Sequence, residues 1–177
     1  VNPTFWNALI STEDERFYSH HGVDFMGIGG AVKDALTRDG ARCASTITQQ
    51  LAKNMFHVRN KEYSGLLGKI PGLRMLIAKA KEWIIAYKIE FIYSKNEILT
   101  MYANTVDFGN NAYGIKTAAR TYFNTTPRQL TTEQVATLVG MLKATTYYNP
   151  ILHPSNSLNR RNTVLYNMVT HGHLTKN

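Results

Sequence analysis

The sequence predicts a mainly α-helical domain, on three observations. Apolar residues recur at three- and four-residue steps through most of the chain, capping residues stand where those runs begin, and strand-like alternation is nearly absent. Phe25, Ile28, Val32, Ala35 and Leu36 form the first run, and Ile47, Leu51 and Met55 the second. Val135, Leu138, Val139 and Leu142, then Val164, Leu165 and Met168, repeat the pattern, each tracing the apolar stripe of an amphipathic helix. Thr46 with Gln49, Ser94 with Glu97, and Thr131 with Gln134 have capping-box spacing, which satisfies N–H groups that a helix start leaves unpaired. Thr126-Pro127 reads as the opening of a short helix, because Pro in the first turn gives up only an N–H that has no partner there. Gly172 is expected to stop the last helix. Strand structure is limited to a turn or short hairpin around Asn104 to Asn111.

At 177 residues the chain fits one domain, and its 44% hydrophobic content supplies a core, so disorder is excluded on composition. Cys43 is the only cysteine, which rules out an internal disulfide and a cysteine-built zinc site. No run approaches the roughly 18 apolar residues of a membrane span; the best stretch, Trp83 to Tyr93, is interrupted by Lys88 and Glu90. The chain opens at Val1-Asn2-Pro3 without a start methionine or leader, and we read it as a mature or excised fragment.

The net charge of +8 is unevenly placed. Nine Lys or Arg between Lys53 and Lys95 face three Glu, a concentration suited to a polyanion such as nucleic acid, an anionic membrane surface or a phosphate-bearing substrate, or simply to a solvated helical face. Within it, Ser64 to Ala80 mixes Gly and Pro71 with bulky aliphatics and spaced cations. Regular helix is not expected through Pro71. Such a segment suits either a membrane interface or an ordinary loop packed on the core.

Two constellations carry chemistry. Glu13-Asp14 is followed by Phe17, His20, Gly22 and Asp24 in the pattern ED-x-x-F-x-x-H-x-G-x-D. A carboxylate beside a Phe and a His is a candidate general base, since partial desolvation moves its pKa toward the working pH. His20-His21 invites a metal reading, but adjacent side chains point apart and no third ligand has suitable spacing, so these are read as structural histidines. On the helix predicted from Ser45, the residues Thr46, Gln50, Lys53, Asn54 and His57 share one polar stripe opposite Ile47, Leu51 and Met55. Amides and an ammonium near a helix start make a sugar-phosphate cradle, unless the stripe simply faces solvent.

Taken together, ED-x-x-F-x-x-H-x-G-x-D and STITQQL-x-KN resemble the first two signature motifs of peptidoglycan glycosyltransferases, the polymerase domains of class A penicillin-binding proteins and their monofunctional relatives. Lys79-Ala80-Lys81-Glu82 resembles the third motif, and Lys95-x-x-Ile98-Leu99-x-x-Tyr102-x-Asn104 the fourth. Gly109, Tyr113-Gly114, Tyr122-Phe123, Glu133, Gly140, Tyr148-Asn149-Pro150 and Arg160-Arg161 follow in family order, so the likeness covers essentially the whole chain. It departs at Cys43, where the family has Gly, at Ala78, where it has Arg, at Ala103, where it has Leu, and at Thr145, where it has Pro. Arg74, four residues before Ala78, would share a helix face with it and is a candidate replacement for the missing Arg.

The resemblance implies a lysozyme-like helical lobe with a smaller membrane-proximal jaw lobe, the jaw covering about residues 58–80 of a single 1–177 domain. It implies a longer parent chain with an N-terminal membrane anchor and a possible C-terminal transpeptidase domain, whose Ser-x-x-Lys tetrad is not among these residues. The implied reaction is polymerisation of lipid II on the outer face of the bacterial cytoplasmic membrane. Glu13 deprotonates the acceptor GlcNAc 4-hydroxyl, which displaces polyprenyl pyrophosphate from the growing glycan chain with inversion, forming a β-1,4 link. Lys53, Lys79 and either Arg74 or Lys81 are implied as cations for the leaving group, with Ser45, Thr46, Gln50 and Asn54 on sugar or phosphate oxygens and Asp14 paired with a cation. Glu82 is expected either to hold a divalent ion, Mg or Mn, or to orient these side chains. Phosphoglycolipid inhibitors of the moenomycin type and a membrane surface are implied partners; nucleic acid is not, since no recognition motif accompanies the cations. The leading rival is a lysozyme-like hydrolase, which uses two carboxylates but has no need of clustered cations.

Overall fold

The computed structural model describes residues 1–37, 45–56 and 73–175. Among these it is mainly helical: α1 (Pro3–Glu13), a short 3-10 turn (Phe17–Ser19), α2 (Phe25–Thr37), α3 (Ile47–Phe56), α4 (Leu73–Ile92), α5 (Lys95–Thr105), α6 (Gly114–Phe123), α7 (Thr132–Met141) and α8 (Pro154–Thr170). The chain forms two compact units, one of Val1–Glu15 with Ala103–Asn177 and one of Arg16–Tyr102.

In the first unit α1, α7 and α8 pack on one another. Their shared core is Phe5, Ala8 and Leu9 with Val135, Leu138, Val139, Val164 and Met168, all fully buried. The two later periodic runs thus become helix faces as predicted. Asn2 starts α1 by accepting from Thr4 N at 3.0 Å, and its own amide donates to the Leu130 carbonyl at 3.1 Å. Thr131 and Gln134 complete the predicted capping box of α7.

That box also explains why Thr126-Pro127 opens only a turn. In a continuing helix the Pro127 carbonyl would accept from Thr131 N, but Thr131 N donates to Gln134 Oε1 at 3.0 Å and the Pro127 carbonyl accepts from Asn2 N at 3.3 Å. The expected hairpin is a tight turn with one antiparallel bridge, Asp107 to Tyr113, and no strand among the described residues. Asn110 and Asn111 take left-handed φ of 50° and 59°, which Asn tolerates better than other side-chain-bearing residues.

In the second unit α3 packs on α4, around Phe17, Ile47, Leu51, Ala52, Ala86, Ile98 and Tyr102. Ser94 and Glu97 form the predicted cap of α5: Glu97 accepts from Ser94 N at 2.8 Å and Ser94 Oγ accepts from Glu97 N at 3.4 Å. Periodicity located α2 and α3 but not every buried position, since Phe25, Leu36 and Met55 are exposed. Helix α4 starts at Leu73, so residues 73–80 of the expected jaw segment are helical. Residues 57–72, including Pro71 and His57, and Cys43 lie outside the described residues.

Candidate active site

The first unit holds the acidic pair. Glu13 ends α1 and Asp14 caps it, the Asp14 N–H donating to the Ile10 carbonyl at 3.1 Å. Both are buried, at 8% and 7% exposure, and a buried carboxylate is costly unless compensated. Arg160 of α8 supplies compensation, with Nη2 at 3.6 Å from Glu13 Oε1. A Cβ at position 140 would stand 3.0 Å from Arg160 Cγ, so Gly140 leaves the room along which that side chain runs. Arg160 Nε is buried without a hydrogen-bond partner. The sequence marked Arg160 only as a motif residue; its meeting with Glu13 is a product of helix packing.

In the second unit, Asp24 accepts from Arg16 Nη2 at 2.7 Å and from Gly27 N at 3.0 Å, capping α2. Burial works to raise the Asp24 pKa, but the Arg16 hydrogen bond, the Gly27 N–H and the charges of Arg16 and His20 outweigh it and hold the carboxyl below its usual value. His20 Nδ1 accepts from Gly22 N at 3.2 Å, which makes it a turn-forming histidine. Gly22 has φ +85°, and a Cβ there would lie 2.8 Å from the Ala86 carbonyl carbon and oxygen. Only glycine permits both the left-handed turn and this approach to the α4 backbone.

The carbonyl of Gly22 is in turn a receptor for α3. Thr46 Oγ1 donates to it at 2.7 Å and Gln49 Nε2 at 3.2 Å, while Gln49 N donates back to Thr46 Oγ1 at 3.1 Å. Thr46, expected as a substrate contact, is therefore a buried cap whose hydroxyl already serves two backbone groups. The expected capping box also changes: the Gln49 side chain turns to Gly22 and to Lys79, whose Nζ lies 3.4 Å from Gln49 Oε1.

Lys79 gathers a different set of side chains from the predicted stripe: Ser45, Gln49 and Glu82. Its ammonium donates to Ser45 Oγ at 2.7 Å and to Glu82 Oε2 at 2.8 Å. Glu82 is 1% exposed, whereas the Lys79 side chain is 33% exposed, so a buried carboxylate anchors a cation that still reaches the surface. Glu82 thereby orients Lys79. Its carboxylate serves the ammonium, and among the described residues no group of three or more His, Cys, Asp or Glu could hold a metal. Gln50, Lys53 and Asn54 are half-buried on α3, and Gln50 Oε1 accepts from Tyr102 OH at 2.9 Å. Ala78 is buried on α4, and the Arg74 side chain lies outside the described residues.

A further buried node supports these elements. Glu90 accepts from Thr48 Oγ1 at 2.6 Å and from Lys95 Nζ at 2.7 Å, and Lys95 also donates to the His20 carbonyl at 2.7 Å. Sequence reasoning missed Gln49, Tyr102 and the Glu90–Lys95 pair as supports, because their partners lie far away along the chain. The available signal was their place inside the motifs.

The Transglycosylase family model matches residues 1–169. Penicillin-binding protein 1F of Bacillus subtilis is 41% identical over 169 residues, covering 95% of this chain and 22% of that protein. Penicillin-binding protein 1A of Escherichia coli is 40% identical over 177 residues, 99% of this chain and 19% of that protein. Penicillin-binding protein 2a of Streptococcus pneumoniae is 38% identical over 177 residues, 100% of this chain and 22% of that protein. The chain thus spans about a fifth of the length of these curated relatives.

Proposed function

The chain belongs to the transglycosylase family over residues 1–169, and from that premise we propose that it polymerises peptidoglycan glycan strands from lipid II. Glu13 takes the proton of the acceptor GlcNAc 4-hydroxyl as the oxygen bonds to the anomeric carbon of the donor, with inversion. The bond from that carbon to the polyprenyl pyrophosphate breaks, and the leaving group carries the electron pair away. Lys79 and Lys53 meet the negative charge that grows there. Gln50 and Asn54 contact sugar or phosphate oxygens.

The observation that carries this reading is Lys79, fixed by a buried Glu82 at 2.8 Å with its stem still partly exposed. Positioned cations suit a departing pyrophosphate, whereas cleavage of a neutral glycan requires none. Ser45 is neutral and half-buried, so a phosphate oxygen can exchange for it on the ammonium while Glu82 keeps hold. Either Arg74 or Lys81 is the further cation of this proposal.

The membrane surface belongs to the same proposal, because the substrates are lipid-linked. Leu76, Ile84, Tyr87 and Phe91 recur along α4 at helical spacing and are 67%, 58%, 60% and 86% exposed. Of these, Ile84 and Tyr87 line, with Phe25, Met26 and Trp83, a groove of about 670 Å³ flanked by Lys88. An apolar stripe with cations beside it suits a lipid headgroup region, on the outer face of the cytoplasmic membrane. No described helix is long and apolar enough to cross a membrane. Phosphoglycolipids of the moenomycin type, which carry phosphate on a lipid, are the proposed inhibitors.

Incubation with purified lipid-linked precursor tests the assignment. Glu13→Gln should lower polymerisation by roughly 10²- to 10⁴-fold, the contribution of a positioned base, with the helical circular dichroism unchanged. Polymer of wild-type length and yield from that variant refutes the role of Glu13. Shortening of finished glycan by the wild type favours the hydrolase reading.

A further inference from the structure

We propose that Gln49, buried and without any direct reach to substrate, is a positioning residue that places the Lys79 ammonium for the departing pyrophosphate. The inference rests on the reading of Lys79 given above. Gln49 is 1% exposed on α3 and uses both ends of its amide. Its Nε2 donates to the Gly22 carbonyl at 3.2 Å and its Oε1 accepts from Lys79 Nζ at 3.4 Å. Gly22 itself is pressed against the α4 backbone at Ala86, two turns along from Lys79. The amide therefore links a rigid point on the glycine turn to the mobile tip of the lysine.

The ammonium has three N–H donors, and the three contacts present are Ser45, Glu82 and Gln49. Two of these acceptors, Glu82 and Gln49, are 1% exposed and belong to helices packed on one another. Ser45 is half-buried and stands at the start of α3. When Ser45 is exchanged for a phosphate oxygen, Glu82 and Gln49 still define where the third N–H points. With Glu82 alone, the lysine would swing about a single contact. Only an amide suits position 49: a carboxylate cannot donate to Gly22, and an aliphatic side chain serves neither partner.

A double-mutant cycle on the 177-residue chain tests this, with kcat and KM measured for polymerisation of lipid-linked precursor and melting temperatures recorded for each variant. Gln49→Met keeps the length and apolar stem. It should lower kcat by roughly 10- to 100-fold, the scale of a misplacement near 1 Å, with KM changed less than about threefold. On top of Lys79→Met it should cost nothing further, since its effect runs through that ammonium. Gln49→Glu is the second variant: its carboxylate can still accept from Lys79 but cannot donate to Gly22, so at neutral pH it should also lose kcat, with KM changed less than about threefold.

Wild-type turnover by folded Gln49→Met, beside a Lys79→Met variant of much reduced but measurable turnover, overturns this inference alone. A full additional loss in the double variant overturns it too. Wild-type turnover by Lys79→Met sinks the reading of Lys79 and this inference with it. If Gln49→Met fails to fold, Gln49→Glu decides: wild-type turnover by that variant at neutral pH counts against the proposal.

Discussion

Replacing Gly22 with Ala should destabilise the protein more than its single added methyl suggests, through two separable costs. The first is conformational: at φ +85° an L side chain crowds the following carbonyl, which costs about 1–2 kcal/mol. The second is steric, since the new Cβ would stand 2.8 Å from both the carbonyl carbon and oxygen of Ala86. These are backbone atoms in the middle of α4, so no side-chain rotation relieves the overlap, and forced repacking of this kind costs about 1–3 kcal/mol. The sum, about 2–5 kcal/mol, corresponds to a fall in Tm of roughly 5–15 °C for a chain of this size. Gly172→Ala is the matched control, because Gly172 has φ +73° but no atom within 4 Å of its would-be Cβ. It should show only the conformational cost, about 1–2 kcal/mol. Thermal and urea unfolding of the two variants side by side isolate the steric part. If Gly22→Ala melts within about 2 °C of Gly172→Ala, the close approach to α4 is not a constraint on the fold.

Gly29 lies in α2 with nothing within 4 Å of a would-be Cβ, so Gly29→Ala should stabilise the chain by about 0.5–1 kcal/mol, readable as a higher urea midpoint. Lys95→Met removes the cation from Glu90, whose side chain is 3% exposed, and should cost about 3–5 kcal/mol; a loss below about 1 kcal/mol would mean that Thr48 alone satisfies that carboxylate. Asp24 has its pKa lowered in the fold from 3.8, so its stabilisation is complete above that value and is lost as the pH falls through the lower folded one. The stability gap between wild type and Asp24→Asn should therefore be constant near neutrality and shrink in acid below pH 3.8; a gap unchanged down to about pH 2 would contradict the Arg16–Asp24 linkage.

Local chemistry was legible in the sequence. Helix periodicity, the caps at Thr131 and Ser94, and the motif residues from Glu13 to Glu82 depend on spacings of a few residues, and the structure keeps those helices and caps. The same spacing misled where a tertiary partner competed. Gln49 was legible as the far half of a capping box, yet its amide goes to Gly22 and Lys79, and Pro127 sits in a turn because Asn2 and Gln134 take the groups a helix would use. Exposure was equally non-local: Thr46 fell on a polar stripe and is 3% exposed, while Phe25 fell on an apolar one and is 72% exposed.

By itself the sequence determined that the chain is helical and where its carboxylates, ammoniums and amides stand along it, because these follow from backbone periodicity and side-chain identity. Only the tertiary structure decided how those groups are used. It set Arg160 beside Glu13, spent the Thr46 hydroxyl on the glycine turn, and gathered Ser45, Gln49 and Glu82 around Lys79. A hydrogen bond or ion pair needs its partners within a few ångströms, and for residues distant in sequence that distance is fixed by helix packing, which no local spacing records.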